Sequence, residues 1–298
     1  MSVRRLQKIK GGSYIISVPS EWVRKNNLDV KSELKVYEVY DGLKVKPIKD
    51  IKAEKVIEFN DLDTTLYLVS VYYMEGISKI VITSKSPMSS EVKKRLRELQ
   101  LTHPGLEIVD ETFNSVTFNV NFNVTTDLNS LVRGYVEKIK KILNDALVVL
   151  QDPKKELKED LIYRADSLIK DYRGIIRNIA LGVQLDDEYN FNLPFKDLIL
   201  YAIFMRDLGR FVTHFKTFIQ LVNDESALVP FSKVVEMFNK ATEMFFNEDL
   251  SNIQWLRNTI SELESACSIT EACKELVRMA SYCIAIMDDS VHKSVRIV

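Results

Sequence analysis

Three groups of residues have the types and spacing to do chemistry. The first is cationic: Arg4, Arg5, Lys8 and Lys10 lie close together, Ser13 follows, and Arg24 and Lys25 stand further on. Basic side chains gathered this tightly neutralise phosphates, release condensed counterions and give salt-dependent affinity for nucleic acid. The second group is Arg173 and Arg177 on one predicted helix with Arg206 and Arg210 on the next, each pair one turn apart on one face. Guanidinium groups bind oxyanions through paired donors. The set therefore reads either as an anion pocket or as partners for Asp166, Asp171 and Asp207 across the helices. The third is Asp288 and His292, four apart near the C-terminal end, which could share a metal on one helical face or form a solvated turn. Two ligands make a poor metal site, and no metal or cofactor is expected.

Other chemistry is missing. No Ser-His-Asp order, nucleophile elbow, P-loop, GxGxxG or pair of catalytic carboxylates occurs, so no enzyme is expected. Cys267, Cys273 and Cys283 lack CxxC spacing and read as reduced core residues on helices. His103, beside Pro104, reads as a surface loop residue. The chain of 298 residues is 46% apolar and 28% charged, with room for two or three domains. No apolar run is long enough to cross a bilayer, and residues 1–10 lack a signal-peptide core, so a cytoplasmic protein not embedded in a membrane is expected. Charge is uneven. Residues 1–50 carry eleven Lys and Arg against six Asp and Glu, net +5, while the whole chain is −1. Attraction to phosphate must come from the N-terminal end, unless its cations are only the solvated face of a small β unit.

The elements that must position the first cluster lie between Arg4 and Pro47. A basic strand enters a turn at Gly11-Gly12, and an alternating strand Tyr14–Val18 stops at Pro19. A short helix that Ser20 can cap follows, and two more strands, 34–40 and 43–47, meet at Asp41-Gly42. About 45 residues with so little helix cannot bury a core alone. In this order, the basic strand, Gly-Gly-Ser turn, Pro-stopped strand, short helix and Val-Tyr/Asp-Gly/Val-Lys-Pro hairpin resemble the SpoVT/AbrB swapped-hairpin family. That resemblance implies a β-barrel formed by two chains that exchange hairpins, an obligatory homodimer, and double-stranded DNA contacted by Arg4, Arg5, Lys8, Lys10 and Ser13, with Arg24 and Lys25 as weaker candidates.

Residues 50–127 read as a small α+β connecting domain. It holds a charged strand over 50–62, a segment Leu66–Met74 that fits strand or helix, a strand Lys79–Thr83, a helix 89–101 and strands 107–109 and 115–122. From Leu128 onward the three-four apolar spacing predicts three helices over 128–224 and three more over 229–298, an all-α bundle of two repeats. Behind a hairpin module, this succession resembles archaeal PhoU-like proteins. That likeness implies control of phosphate uptake or homeostasis, with a phosphate transporter or sensor kinase as possible partner. Where PhoU proteins carry Glu-Arg-Ile-Gly-Asp on the third helix, this chain has Arg206-Asp207-Leu208-Gly209-Arg210. Two metal-ligating carboxylates of that family are thus replaced by permanent cations, which argues against its metal clusters. The reading is a DNA-binding transcriptional regulator with a helical sensing or docking body. The alternatives are a dimeric adaptor that does not bind DNA and an antitoxin-like protein.

Overall fold

In the computed structural model of the chain, the described residues are 3–39, 42–48, 53–152, 154–185, 191, 193–223, 225–267 and 270–295. The chain divides into two compact units, Met1–Ile51 and Lys52–Val298.

The first unit is two hairpins joined by one short helix. Strand β1 (Gln7–Lys8) pairs antiparallel with β2 (Tyr14–Ile15), and β3 (Leu34–Val39) with β4 (Gly42–Pro47), while α1 (Ser20–Lys25) lies between the two hairpins in sequence. The glycine turn forms because Gly11 and Gly12 take φ of +121° and +104°, a region closed to side chains. Ser20 does not cap α1. The Pro19 carbonyl already accepts from the Val23 amide, which makes Ser20 the first helical residue and leaves the cap without a side-chain hydrogen bond. Gly42 is not a turn residue either; it opens β4 opposite Val39, and Asp41 lies outside the described residues. No described residue of this unit is buried.

The second unit combines a sheet layer with a helical bundle. Strands β5 (Glu54–Glu58), β6 (Lys79–Thr83), β7 (Leu106–Glu111) and β8 (Ser115–Val120) form one sheet in the order β5-β6-β8-β7, parallel only between β5 and β6. The ambiguous segment is helix α2 (Leu62–Met74), capped by Asp61; it makes the crossover that the parallel pair requires. With α3 (Ser90–Thr102) it covers a sheet face on which Ile80 opposes Phe118 and Ile82 opposes Val116, all 1% exposed or less. His103 is not a surface residue: it is 1% exposed. Its ring lies edge-on to Tyr73, Nδ1 donates to the Leu99 carbonyl at 3.0 Å, and Nε2 lies 3.0 Å from the Ser70 hydroxyl. The end of α3 turns it inward.

Six helices complete the unit: α4 (Leu128–Gln151), α5 (Lys155–Leu185), α6 (Phe195–Leu221), α7 (Leu228–Asn247), α8 (Ile253–Ala266) and α9 (Glu271–Ser294). Their packing runs in a circuit from α4 to α5, α6, α9, α7 and back to α4, with α8 laid on α7 and α9. One continuous core joins all six. Helices α6 and α7 are aligned by three aromatic pairs, Phe204 with Phe245, Phe211 with Phe238 and Phe218 with Phe231. Each step is one heptad forward on α6 and one heptad back on α7, so the two helices run antiparallel. Among the described residues no helix is long and apolar enough to cross a membrane.

Candidate nucleic-acid interface

The N-terminal cations sit where the first hairpin leaves them open. Arg4 and Arg5 precede β1, Lys8 ends it, and Lys10 enters the turn; all four are exposed. The turn closes through the Ile9 amide on the Ser13 carbonyl at 2.9 Å and the Gly12 amide on the Ile9 carbonyl at 3.2 Å. Ser13 is thereby fixed at the base of the turn, beside two glycines around which a Cβ would meet nothing within 4 Å. A bare backbone here can approach a flat or charged surface closely. Lys8 Nζ lies 5.7 Å from the centre of the Tyr14 ring across the hairpin, which holds its charge over the strand pair.

Arg24 and Lys25 are exposed in the last turn of α1, where cations complement the negative end of a helix. Asn27 follows at φ +54°, and the Leu28 amide returns to the Val23 carbonyl at 3.0 Å. This tight exit holds the two cations beside the second hairpin's approach. That approach is itself locked by Asp29, which accepts from the Lys31 amide at 2.9 Å and the Ser32 hydroxyl at 3.1 Å; the Lys31 bond is the main reason its carboxyl titrates below the usual range. Several apolar side chains of the unit face solvent as well: Leu6 is 68% exposed, Val36 60% and Leu43 72%. The hairpins have no second layer of their own to cover them.

Arg173, Arg177, Arg206 and Arg210 of the second unit separate into two roles. Arg177, 3% exposed, donates to the carbonyls of Tyr73 at 2.6 Å and Ile77 at 2.9 Å, and stands over the Tyr73 ring. It satisfies backbone groups at the end of α2 and does not join the other three. Arg173 gives one nitrogen to the Thr102 carbonyl at the end of α3, at 2.9 Å. Arg173, Arg206 and Arg210 line one cleft. Their expected carboxylate partners are mostly engaged elsewhere. Asp166 pairs with Lys216 at 2.6 Å and Asp171 with Lys138 at 2.8 Å, so only Asp207 holds an arginine, Arg206, at 3.0 Å along the same helix.

Asp288 and His292 are exposed one turn apart on α9, and among the described residues no three of His, Cys, Asp and Glu gather as a metal would need. Of the cysteines only Cys283 is buried. Cys267 and Cys273 are half-buried with their thiols in hydrogen-bonding contact, and desolvation first, then Cys273, pushes Cys267 up to about 12. The folding-back of α8 onto α9 brings together two thiols that spacing alone left apart. Spacing also gave no sign of Asp289. It is 6% exposed near Asp207, and its carboxyl is pushed up to about 7, by burial first and then by that neighbouring carboxylate.

Residues 7–53 match the family described as antidote-toxin recognition MazE, bacterial antitoxin. No curated protein and no solved structure matches the chain. The N-terminal unit therefore carries a MazE/AbrB-like domain, and both hairpins lie within the matched residues.

Proposed function

We propose that the protein is a homodimeric DNA-binding regulator whose N-terminal hairpins, completed by those of a second copy, present Arg4, Arg5, Lys8 and Lys10 to the phosphates of double-stranded DNA. The observation that carries this reading is a module matching a MazE/AbrB-like domain in which no described residue is buried and the basic side chains cluster around one glycine turn. A module without a core needs a second copy to make one, and a doubled set of cations doubles the footprint. The helical body is then the part that receives a signal or docks a partner. Control of phosphate uptake, with a transporter or sensor kinase as that partner, follows from the PhoU resemblance of the bundle alone.

The test is binding of the full chain to a mixed-sequence duplex across a salt series, with and without Arg4→Ala, Arg5→Ala, Lys8→Ala and Lys10→Ala. Affinity that falls steeply with salt is expected, with the slope reduced by about one for each phosphate contact removed. No binding at low salt would make the hairpins a dimerisation device and the protein an adaptor. The name of the matched family favours a second reading, an antitoxin whose extension holds a toxin. Antitoxin extensions are commonly disordered until bound, whereas α4 to α9 already share a core here.

A further inference from the structure

A cleft of about 480 Å³ opens between α2 and α3 on one side and α5 and α6 on the other. Its charged lining consists of Arg173, Arg206 and Arg210, with no carboxylate among the described lining residues. In a chain of net charge −1, three guanidinium groups on one cavity are a local excess that ordinary surface pairing does not produce. Arg210 makes no hydrogen bond or ion pair among the described residues. Arg206 engages Asp207 through Nε, which leaves both terminal nitrogens, and Arg173 engages Thr102 through one terminal nitrogen only.

All three line the cleft together with Tyr172. Arg210, Arg173 and Arg206 oppose the upward shift that burial gives the Tyr172 phenol, and Asp207 adds to it. Gly209, between the two α6 arginines, lets the ring lie against the helix, because a Cβ there would stand 2.7 Å from the Tyr172 ring. The Tyr172 ring thus forms a flat floor flush against α6. Arg173 is itself half-buried, and desolvation lowers its pKa: its charge is held at a cost that a bound anion would offset.

We propose that this cleft binds a small molecule carrying a tetrahedral oxyanion, held by Arg210 and the free nitrogens of Arg206 and Arg173 over the Tyr172 floor. Guanidinium groups from two helices approach from different directions, which suits an oxyanion with three free oxygens better than a flat carboxylate. The volume falls within the range of small-ligand clefts and exceeds what a lone ion fills. The site lies in the second unit and does not depend on the DNA-binding reading.

The test is calorimetric titration of the full chain at constant ionic strength with inorganic phosphate, pyrophosphate and a nucleoside monophosphate. Binding is expected for at least one probe. Tighter binding of the nucleotide identifies an esterified phosphate, and equal or tighter binding of phosphate identifies the free ion. Arg210→Ala should weaken binding about tenfold or more without moving the thermal midpoint of the unliganded protein, because that side chain makes no bond to lose. Arg210→Glu should abolish it, and the Arg4, Arg5, Lys8 and Lys10 substitutions should leave it intact. Absence of heat for every probe up to about 10 mM, binding that survives Arg210→Glu, or binding lost with the N-terminal substitutions would each overturn the site.

Discussion

His103 and Asp289 are buried groups whose titrations oppose each other. Burial holds the His103 imidazole down at about 4, with the Arg173 charge adding to the effect. Below its unfolded value near 6.5 the unfolded chain takes up a proton that the folded chain refuses, so this residue costs stability as pH falls from about 6.5 to about 4. Asp289 does the reverse: its raised value means that the folded chain keeps a proton which the unfolded chain releases. Its contribution therefore falls as pH rises from about 4 to about 7. Each slope is about 1.4 kcal/mol per pH unit, and between pH 4 and 6.5 they largely cancel. Denaturant unfolding should show it. Asp289→Asn should gain stability at pH 8 and become acid-sensitive, whereas His103→Gln should grow less stable as pH rises from 5 to 7. Two flat profiles would mean that neither group is shifted. The sequence concealed His103 because a neighbouring proline suggests an exposed loop, while its burial depends on Ser70 and Tyr73 from a distant helix.

At the scale of elements, α5 does most of the joining within the second unit. Arg173, Arg177, Asn178 and Gln184 on it reach the backbone at Thr102, Tyr73, Thr125 and Glu75. Three of these carbonyls stand at the ends of α2 and α3, where helices leave unpaired acceptors and a negative dipole end. Arg177→Met should cost roughly 2–4 kcal/mol in thermal or denaturant unfolding, because the buried Tyr73 carbonyl and the partly buried Ile77 carbonyl lose a charged donor. A change below about half a kcal/mol would sink that role. The apolar stripes of α4, α7 and α9 were legible in the sequence as three-four spacing. Helix α6 was legible only in part: Met205, Leu208, Val212 and Phe215 form the readable stripe, while Phe204, Phe211 and Phe218 form a second one against α7. A helix buried on most sides keeps only a narrow polar edge, here the one that carries Arg206 and Arg210, and a narrow edge gives its phase weakly. Phe211→Ala, at the middle of that ladder, should cost about 3–5 kcal/mol in denaturant unfolding, against less than about 1 kcal/mol for Arg210→Ala on the cleft side. Gly209 shows the same limit: the ring that its missing Cβ admits belongs to another helix.

For the molecule as a whole, the contrast lies in how each unit gets its interior. Residues 52–298 bury their own core, whereas residues 3–48 bury no described side chain. If a second copy supplies that interior, the N-terminal unit should unfold with a midpoint that rises with protein concentration, while the remainder unfolds independently of it. Calorimetry at two concentrations about tenfold apart checks this; a single transition indifferent to concentration would leave the hairpins without the partner assigned to them. The hairpins were readable in sequence because turn chemistry is local. The cleft was only half readable: helical spacing placed the arginines in pairs, but what divided their roles was the ends of α2 and α3, which no local pattern locates.

The way α5 grips the sheet layer also governs how the chain can be cut. A fragment beginning at Leu128 would carry Arg177 without the carbonyls of Tyr73 and Ile77, and would open Gly174, where a Cβ would now stand 3.2 Å from Pro104, to water. A cation and an apolar seam fitted to missing neighbours invite self-association. Expression of the helical part should therefore begin ahead of β5, where Glu54 enters the sheet, so that the bundle keeps the layer against which it is shaped.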